Sequence, residues 1–109
     1  VKPSRDAFRK LAKEDPERLV RWIGNGTLLD AHLADAAEIL GEDASRSYRF
    51  IPALEILLNR ESAVVREGAV CGLGRMLHDL RAVLDTRRCT DTSSGVRLAA
   101  ADVLEDLRV

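Results

Sequence analysis

The sequence predicts an all-α chain built from about three stacked helix pairs, and three observations carry that expectation. Aromatic residues make up only 4% of 109 residues while hydrophobic residues reach 46%. The core must therefore be filled by Leu, Val, Ile and Ala, which suits packed helices better than strands. Apolar residues recur at three- and four-residue steps, and no stretch alternates apolar with polar residues for long enough to make a strand. A Val-Arg pair followed by a small-residue segment occurs twice, in "VVREGAVCGLG" from Val64 and in "VRLAAADVLED" from Val96, with the pairs 31 positions apart (96 − 65).

Seven helices are predicted at roughly 4–13, 16–24, 28–41, 47–58, 62–77, 79–88 and 94–108. Asp15-Pro16 places a capping carboxylate before a proline at the first position of the second helix. Thr27, with Asp30 three residues later, reads as a capping box for the third. In that helix Leu29, Leu33, Ala36, Ala37 and Leu40 form the apolar stripe of an amphipathic helix. Ser62 and Ser93 each stand three residues before a Val-Arg pair, where a hydroxyl can accept from an orphan N–H. Asn25-Gly26, Gly41 to Ser47 and Thr90 to Gly95 supply turn chemistry between helices. None is long or biased enough to be a domain linker, so the chain reads as one domain over 1–109.

Charge excludes some function classes. The net charge is −1, with 17 basic and 18 acidic residues, and neither half of the chain carries the basic footprint of a nucleic-acid binder. Cys71 and Cys89 are too few and too far apart for a disulfide framework or a zinc knuckle, and are expected as reduced thiols of a cytoplasmic protein. No apolar run approaches the length of a membrane span and no signal-peptide pattern is present. The chain opens on Val1 rather than Met, which leaves room for a fragment of a longer stack. Only three of the 17 basic residues are Lys, a bias that points to a GC-rich bacterial genome.

The repeat extends beyond Val-Arg. At an offset of 33, Gly74, Leu73 and Ala69 match Gly41, Leu40 and Ala36, and at an offset of 31 Leu73 and Ala69 match Leu104 and Ala100. "LVRWI" from Leu19, "ALEIL" from Ala53 and "LRAVL" from Leu80 end the preceding helix of each pair. The units so defined are about 16–44, 47–78 and 79–108, with helix 4–13 before them. Gly68, Ala69 and Gly72 in one helix, and Ala99, Ala100 and Ala101 in another, predict close helix approach.

The central unit, "FIPALEILLNRESAVVREGAVCGLGRML" from Phe50 to Leu77, resembles a HEAT repeat, with Pro52 in its first helix, a polar turn, then Val-Arg, Ala and Leu-Gly in its second. The resemblance covers about 90 residues, from Glu17 to Leu107, and implies a short right-handed α-α superhelix with helix 4–13 as its cap. In that family an acid in the turn and an arginine at the helix start often form a ladder between units. Arg66 and Arg97 fill the arginine place and Asp91 the acid place, but Arg60 stands for the acid of the middle unit and Leu33 for the arginine of the first.

The resemblance further implies that the second helices line an inner surface that grips other molecules. With Ala69 and Leu73 facing the core, Glu67, Cys71 and Arg75 fall on a more exposed stripe, and their equivalents are Ala34, Glu38 and Glu42 in the first unit and Leu98, Asp102 and Asp106 in the third. The candidate partner-binding residues are therefore Glu38, Glu42, Glu67, Cys71, Arg75, Asp102 and Asp106. Residues 27–45 hold five acids and no Lys or Arg, a pattern that would repel phosphate and attract a basic partner. The competing reading is the solvated side of an amphipathic helix.

No residue pattern points to catalysis, a metal or a cofactor. His32 and His78 lack helical-spacing partners for metal ligation, and "GLGRM" from Gly72 lies inside a helix rather than between strand and helix. Cys71 is expected to pack as a small apolar residue, Cys89 to be a surface thiol beside Arg87 and Arg88, and Trp22 to join Leu19 and Ile23 in the core. A base-stacking role for Trp22 would need it exposed beside basic residues.

The expectation is a non-catalytic protein-protein interaction module, an adaptor, scaffold or inhibitor, without cofactor or membrane contact. Two alternatives follow from the same resemblance: HEAT-like proteins similar to DNA-repair glycosylases, which grip duplex DNA with a basic face this chain lacks, and the longer HEAT-like bilin lyases. Homodimerisation through the last helix, by way of Val103, Leu107 and Val109, is also expected. A sedimentation mass that rises from monomer to dimer with concentration is the expected outcome, and a concentration-independent monomer mass would refute it.

Overall fold

In the computed structural model, which describes residues 2–106, helix starts are set largely by polar side chains. Ser4 Oγ accepts from the Ala7 N–H at 3.1 Å and opens α1 (Arg5–Glu14). Asp15 Oδ1 accepts from the Arg18 N–H at 3.3 Å, with Pro16 next to it at the start of α2 (Pro16–Gly24), as the sequence predicts. The capping box at Thr27 does not form. Thr27 turns back instead, its N–H (3.0 Å) and hydroxyl (2.7 Å) donating to Asn25 Oδ1 beside Gly26 at φ +77°. Consequently α3 (Asp30–Asp43) begins after Leu29 with no side-chain cap.

The segment predicted as one helix over 47–58 is broken. α4 spans only Ile51–Glu55 and is flanked by 3₁₀ turns at Ser47–Phe50 and Ile56–Asn59. Pro52 has no N–H for the carbonyl of Tyr48, so the first turn cannot run into α4 in α-helical register.

Helices predicted separately at 62–77 and 79–88 are one element, α5 (Ala63–Thr90). No Gly or Pro lies between Gly74 and Thr90 to interrupt it. The hydroxyls of Thr86 and Thr90 bond back to the carbonyls of Ala82 (3.0 Å) and Thr86 (2.7 Å). After the turn, α6 covers Ser94–Asp106, and the predicted continuation to 108 falls outside the described residues. Ser62 and Ser93 hydroxyls accept from the N–H groups of Val65 (3.5 Å) and Val96 (3.4 Å), confirming both expected caps. All regular structure among the described residues is helical.

The chain divides into two compact units, Val1–Met76 and Leu77–Val109. In the first, α1 packs on α2 and α3, and α2 also meets α4. Phe8, Leu19, Ile23, Ile39, Leu40 and Leu54 are buried there, with the Phe8 ring edge-on to Trp22 at 5.3 Å. α1 is thus a full contributor to the core. Arg5 and Arg9 of α1 also pair with Asp35 (2.7 Å) and Asp43 (3.8 Å) of α3.

The closest packing joins α3 to α5. A Cβ added to Gly68 would lie 2.6 Å from the Ala34 Cα, one on Gly41 would lie 2.6 Å from the Gly72 Cα, and one on Gly72 would meet the Ala37 backbone and, at 2.6 Å, Leu54 Cδ1. The backbones touch where the sequence predicts small residues for close approach. Two positions change their meaning. Gly41, read as a turn residue, is buried inside α3, and Gly74, its repeat equivalent by sequence, meets nothing within 4 Å of an added Cβ. Ala34, expected on the exposed stripe, is buried against Gly68 because that glycine lets the backbones meet there.

The twice-written Val-Arg has a local explanation. Arg66 donates to the carbonyls of Arg60 (2.8 Å) and Glu61 (2.7 Å), and Arg97 donates to the carbonyl of Asp91 (2.7 Å). Each arginine folds back six residues onto the turn that precedes its own helix, while the serine between them caps that helix. In the second unit the Asp91 carboxylate completes the turn, accepting from the Ser93 N–H at 2.9 Å and pairing with Arg87 at 3.3 Å. Of the three alanines 99–101, Ala100 is buried, Ala101 half-buried and Ala99 exposed.

The two glycines of α5 give a paired test. Gly72→Ala is expected to cost about 1–3 kcal/mol by overpacking against backbone that cannot yield. Gly74→Ala, in open space, should stabilise by about 0.4–1 kcal/mol through helix propensity. The midpoints of urea unfolding followed by circular dichroism check both, and equal midpoints for the two variants would contradict the packing.

Candidate functional site

The α3 and α5 contact carries a charged margin. Glu38 follows Ala37 and Cys71 precedes Gly72, so at 100° per residue both flank the backbone contact. They lie on the side away from the buried Leu40 and Ala69. Glu42 continues this stripe on α3, and Glu67 and Arg75 continue it on α5. Glu38 is half-buried, and Glu42, Glu67, Cys71 and Arg75 are exposed. Five of the seven candidate residues therefore share the first unit. Asp102 and Asp106 are exposed on α6 in the second.

Ion pairing divides the five acids of residues 27–45 into two kinds, with Asp30, at the start of α3, outside any salt bridge among the described residues, like Glu38 and Glu42. Asp35 and Asp43 are neutralised by Arg5 and Arg9 of α1, which the sequence, read locally, did not connect to them. Among the described residues Glu38, Glu42, Glu67 and Arg75 form no salt bridge. Their charge faces solvent undischarged. The stripe offers acceptors for a cationic surface and holds no nucleophile paired with a base.

The remaining candidates resolve individually. Cys71 is exposed rather than packed, since Gly68 and Gly72 have taken the positions that face α3. Cys89 is exposed as expected, and its neighbours Arg87 and Arg88 are engaged with Asp91 and Asp85. The Asp85 carboxylate raises Arg88 above the usual guanidinium range. His32 is half-buried with its ring 6.5 Å from Phe8, and His78 is exposed, 3.9 Å from Asp79. Among the described residues no group of three or more His, Cys, Asp or Glu side chains could hold a metal ion, and no helix is long and apolar enough to cross a membrane.

A groove elsewhere in the first unit was missed in the sequence. Between α1 and α2 lies an open groove of about 620 Å³, to which α1 presents Lys10, Leu11 and Glu14 and α2 presents Arg18, Arg21 and Trp22. Trp22 is half-buried, so it is partly core and partly groove wall. The i, i+3, i+4 spacing of Arg18, Arg21 and Trp22 was the available signal, because it places the two cations and the indole on one helix face.

No protein-family model, curated protein or solved structure matches the chain.

Thiol accessibility checks the placement of the cysteines. Both Cys71 and Cys89 should react with Ellman's reagent in the folded protein, releasing two equivalents without denaturant, and Cys71→Ser should change stability by less than about 0.5 kcal/mol. A single fast-reacting thiol in wild type that persists in Cys71→Ser would mean that Cys71 is covered.

Proposed function

We propose that the protein is a non-catalytic interaction module, an adaptor, scaffold or inhibitor, that holds a partner protein with a basic surface along the margin of α3 and α5. The observation that carries this reading is the division of the acids: Asp35 and Asp43 are spent on α1, while Glu38, Glu42 and Glu67 are left without internal partners around a rigid backbone contact. Unspent carboxylates on a firmly packed helix pair attract and orient a cationic surface at little conformational cost. The small-residue packing of α3 on α5 supports HEAT-like packing within the first unit, and Asp102 and Asp106 are the repeat-equivalent acids on α6. Two free thiols support a cytoplasmic setting.

Affinity capture from a lysate of the source organism tests this, comparing wild type with a folded Glu38→Lys, Glu42→Lys, Glu67→Lys variant. A protein enriched by wild type, released as salt rises and lost with the variant is the expected outcome. Equal capture by both proteins, or none by wild type, would overturn the reading.

A further inference from the structure

The groove between α1 and α2 gathers charge that the fold does not use. Arg5, Arg9, Arg49, Arg87 and Arg88 are held in ion pairs, and Arg66 and Arg97 are held by turn carbonyls. Among the described residues Lys10, Arg18 and Arg21 have no such partner, yet all three line one groove with Glu14 as its sole acid. The ionisable lining therefore carries a formal charge of +2 (three cations less one carboxylate). Its apolar wall is Leu11 and Trp22, and the indole packs against Phe8, itself fully buried, in a T-shaped contact with ring centroids 5.3 Å apart.

These features define a ligand. A cavity of about 620 Å³ falls within the roughly 300–1,000 Å³ of small-molecule sites. Two arginines at i, i+3 and a lysine across the groove match a phosphate monoester, which carries a charge of about −1.5 to −2 at neutral pH. A flat ring is the body that an indole and a leucine accommodate. A long polyanion fits poorly, since it needs a continuous cationic track and the unpaired acids of α3 stand in the same unit. We propose that the α1 and α2 groove binds an aromatic phosphate monoester, its phosphate held by Arg18, Arg21 and Lys10 and its ring against Trp22. The site does not depend on the acidic margin of α3 and α5 and can stand or fall separately from it.

Trp22 is the only tryptophan in the sequence, so its emission reports on the groove directly. Adenosine monophosphate and O-phosphotyrosine, titrated separately, represent nucleotide and phosphopeptide sources of the same chemistry, with adenosine and inorganic phosphate as half-ligands. Saturable quenching by at least one aromatic phosphate, with each half-ligand and an Arg18→Gln, Arg21→Gln variant weaker by about tenfold or more, is the expected result. Arg60→Gln, exposed and outside the groove, should bind as wild type, and the melting temperature of each variant verifies folding. No saturable quenching by either phosphate overturns the proposal, as does binding that survives loss of both arginines. Binding of oligothymidylate without either monoester overturns it too, and would assign the groove to a nucleic-acid strand.

Discussion

The backbone contact between α3 and α5 is the constraint from which the first unit takes its form. Gly41, Gly68 and Gly72 sit where any Cβ would enter the opposite backbone, against Gly72, Ala34 and Ala37 respectively. Interior glycines cost a helix about 1 kcal/mol each relative to Ala, and the offset here is dispersion and burial between helices at the shortest range the chain allows. That proximity leaves no room for side chains in the seam. It also fixes what borders it, namely Ala69, Val65 and Met76 in the core on one side and Glu38, Cys71 and Arg75 on the other.

Charge in this protein is best understood by what it is spent on. α1 is fastened to α3 by Arg5 with Asp35 and Arg9 with Asp43, and exposed pairs of this kind contribute only about 0–1 kcal/mol each. Their larger effect is on the surface left behind. Discharging Asp35 and Asp43 leaves Glu38 and Glu42 as the free carboxylates of α3 beside α5, with Asp30 at the helix start, while Lys10 of α1 and Arg18 and Arg21 of α2 remain free in the groove beside Trp22. One short unit thus carries unpaired acidic side chains beside the α3 and α5 contact and unpaired basic ones in the groove of α1 and α2.

The repeated Val-Arg shows how a sequence repeat can have a local cause. Arg66 and Arg97 each clasp the turn before their own helix, with Ser62 and Ser93 capping between them, so both turns share an arginine clasp and a serine cap. The matching alanines Ala36, Ala69 and Ala100 are buried in all three places, whereas the matched glycines Gly41 and Gly74 are not equivalent. Similar letters secure similar local structure, and packing then assigns different work to the same residue.

Much of the fold was legible because it is local. The all-helical class, the caps at Asp15, Ser62 and Ser93, and the small-residue face of Gly68 and Gly72 follow from helical periodicity and side-chain chemistry within a turn or two. The errors lie where a neighbour distant in sequence decides. Thr27 bonds to Asn25 instead of capping α3, a break was expected inside α5 where nothing interrupts the helix, and Ala34 and Gly41 are buried only because Gly68 and Gly72 approach them. The acidic margin was readable as a pattern of residues. Which of its acids stay free depended on Arg5 and Arg9 arriving from thirty or more positions away, and the basic groove depended on α1 and α2 packing side by side. By itself the sequence determined the helices and the small residues that let them meet, because those are properties of successive turns. Only the tertiary structure decided which charges are consumed and which surfaces remain, because pairing and burial are properties of residues brought together from different elements.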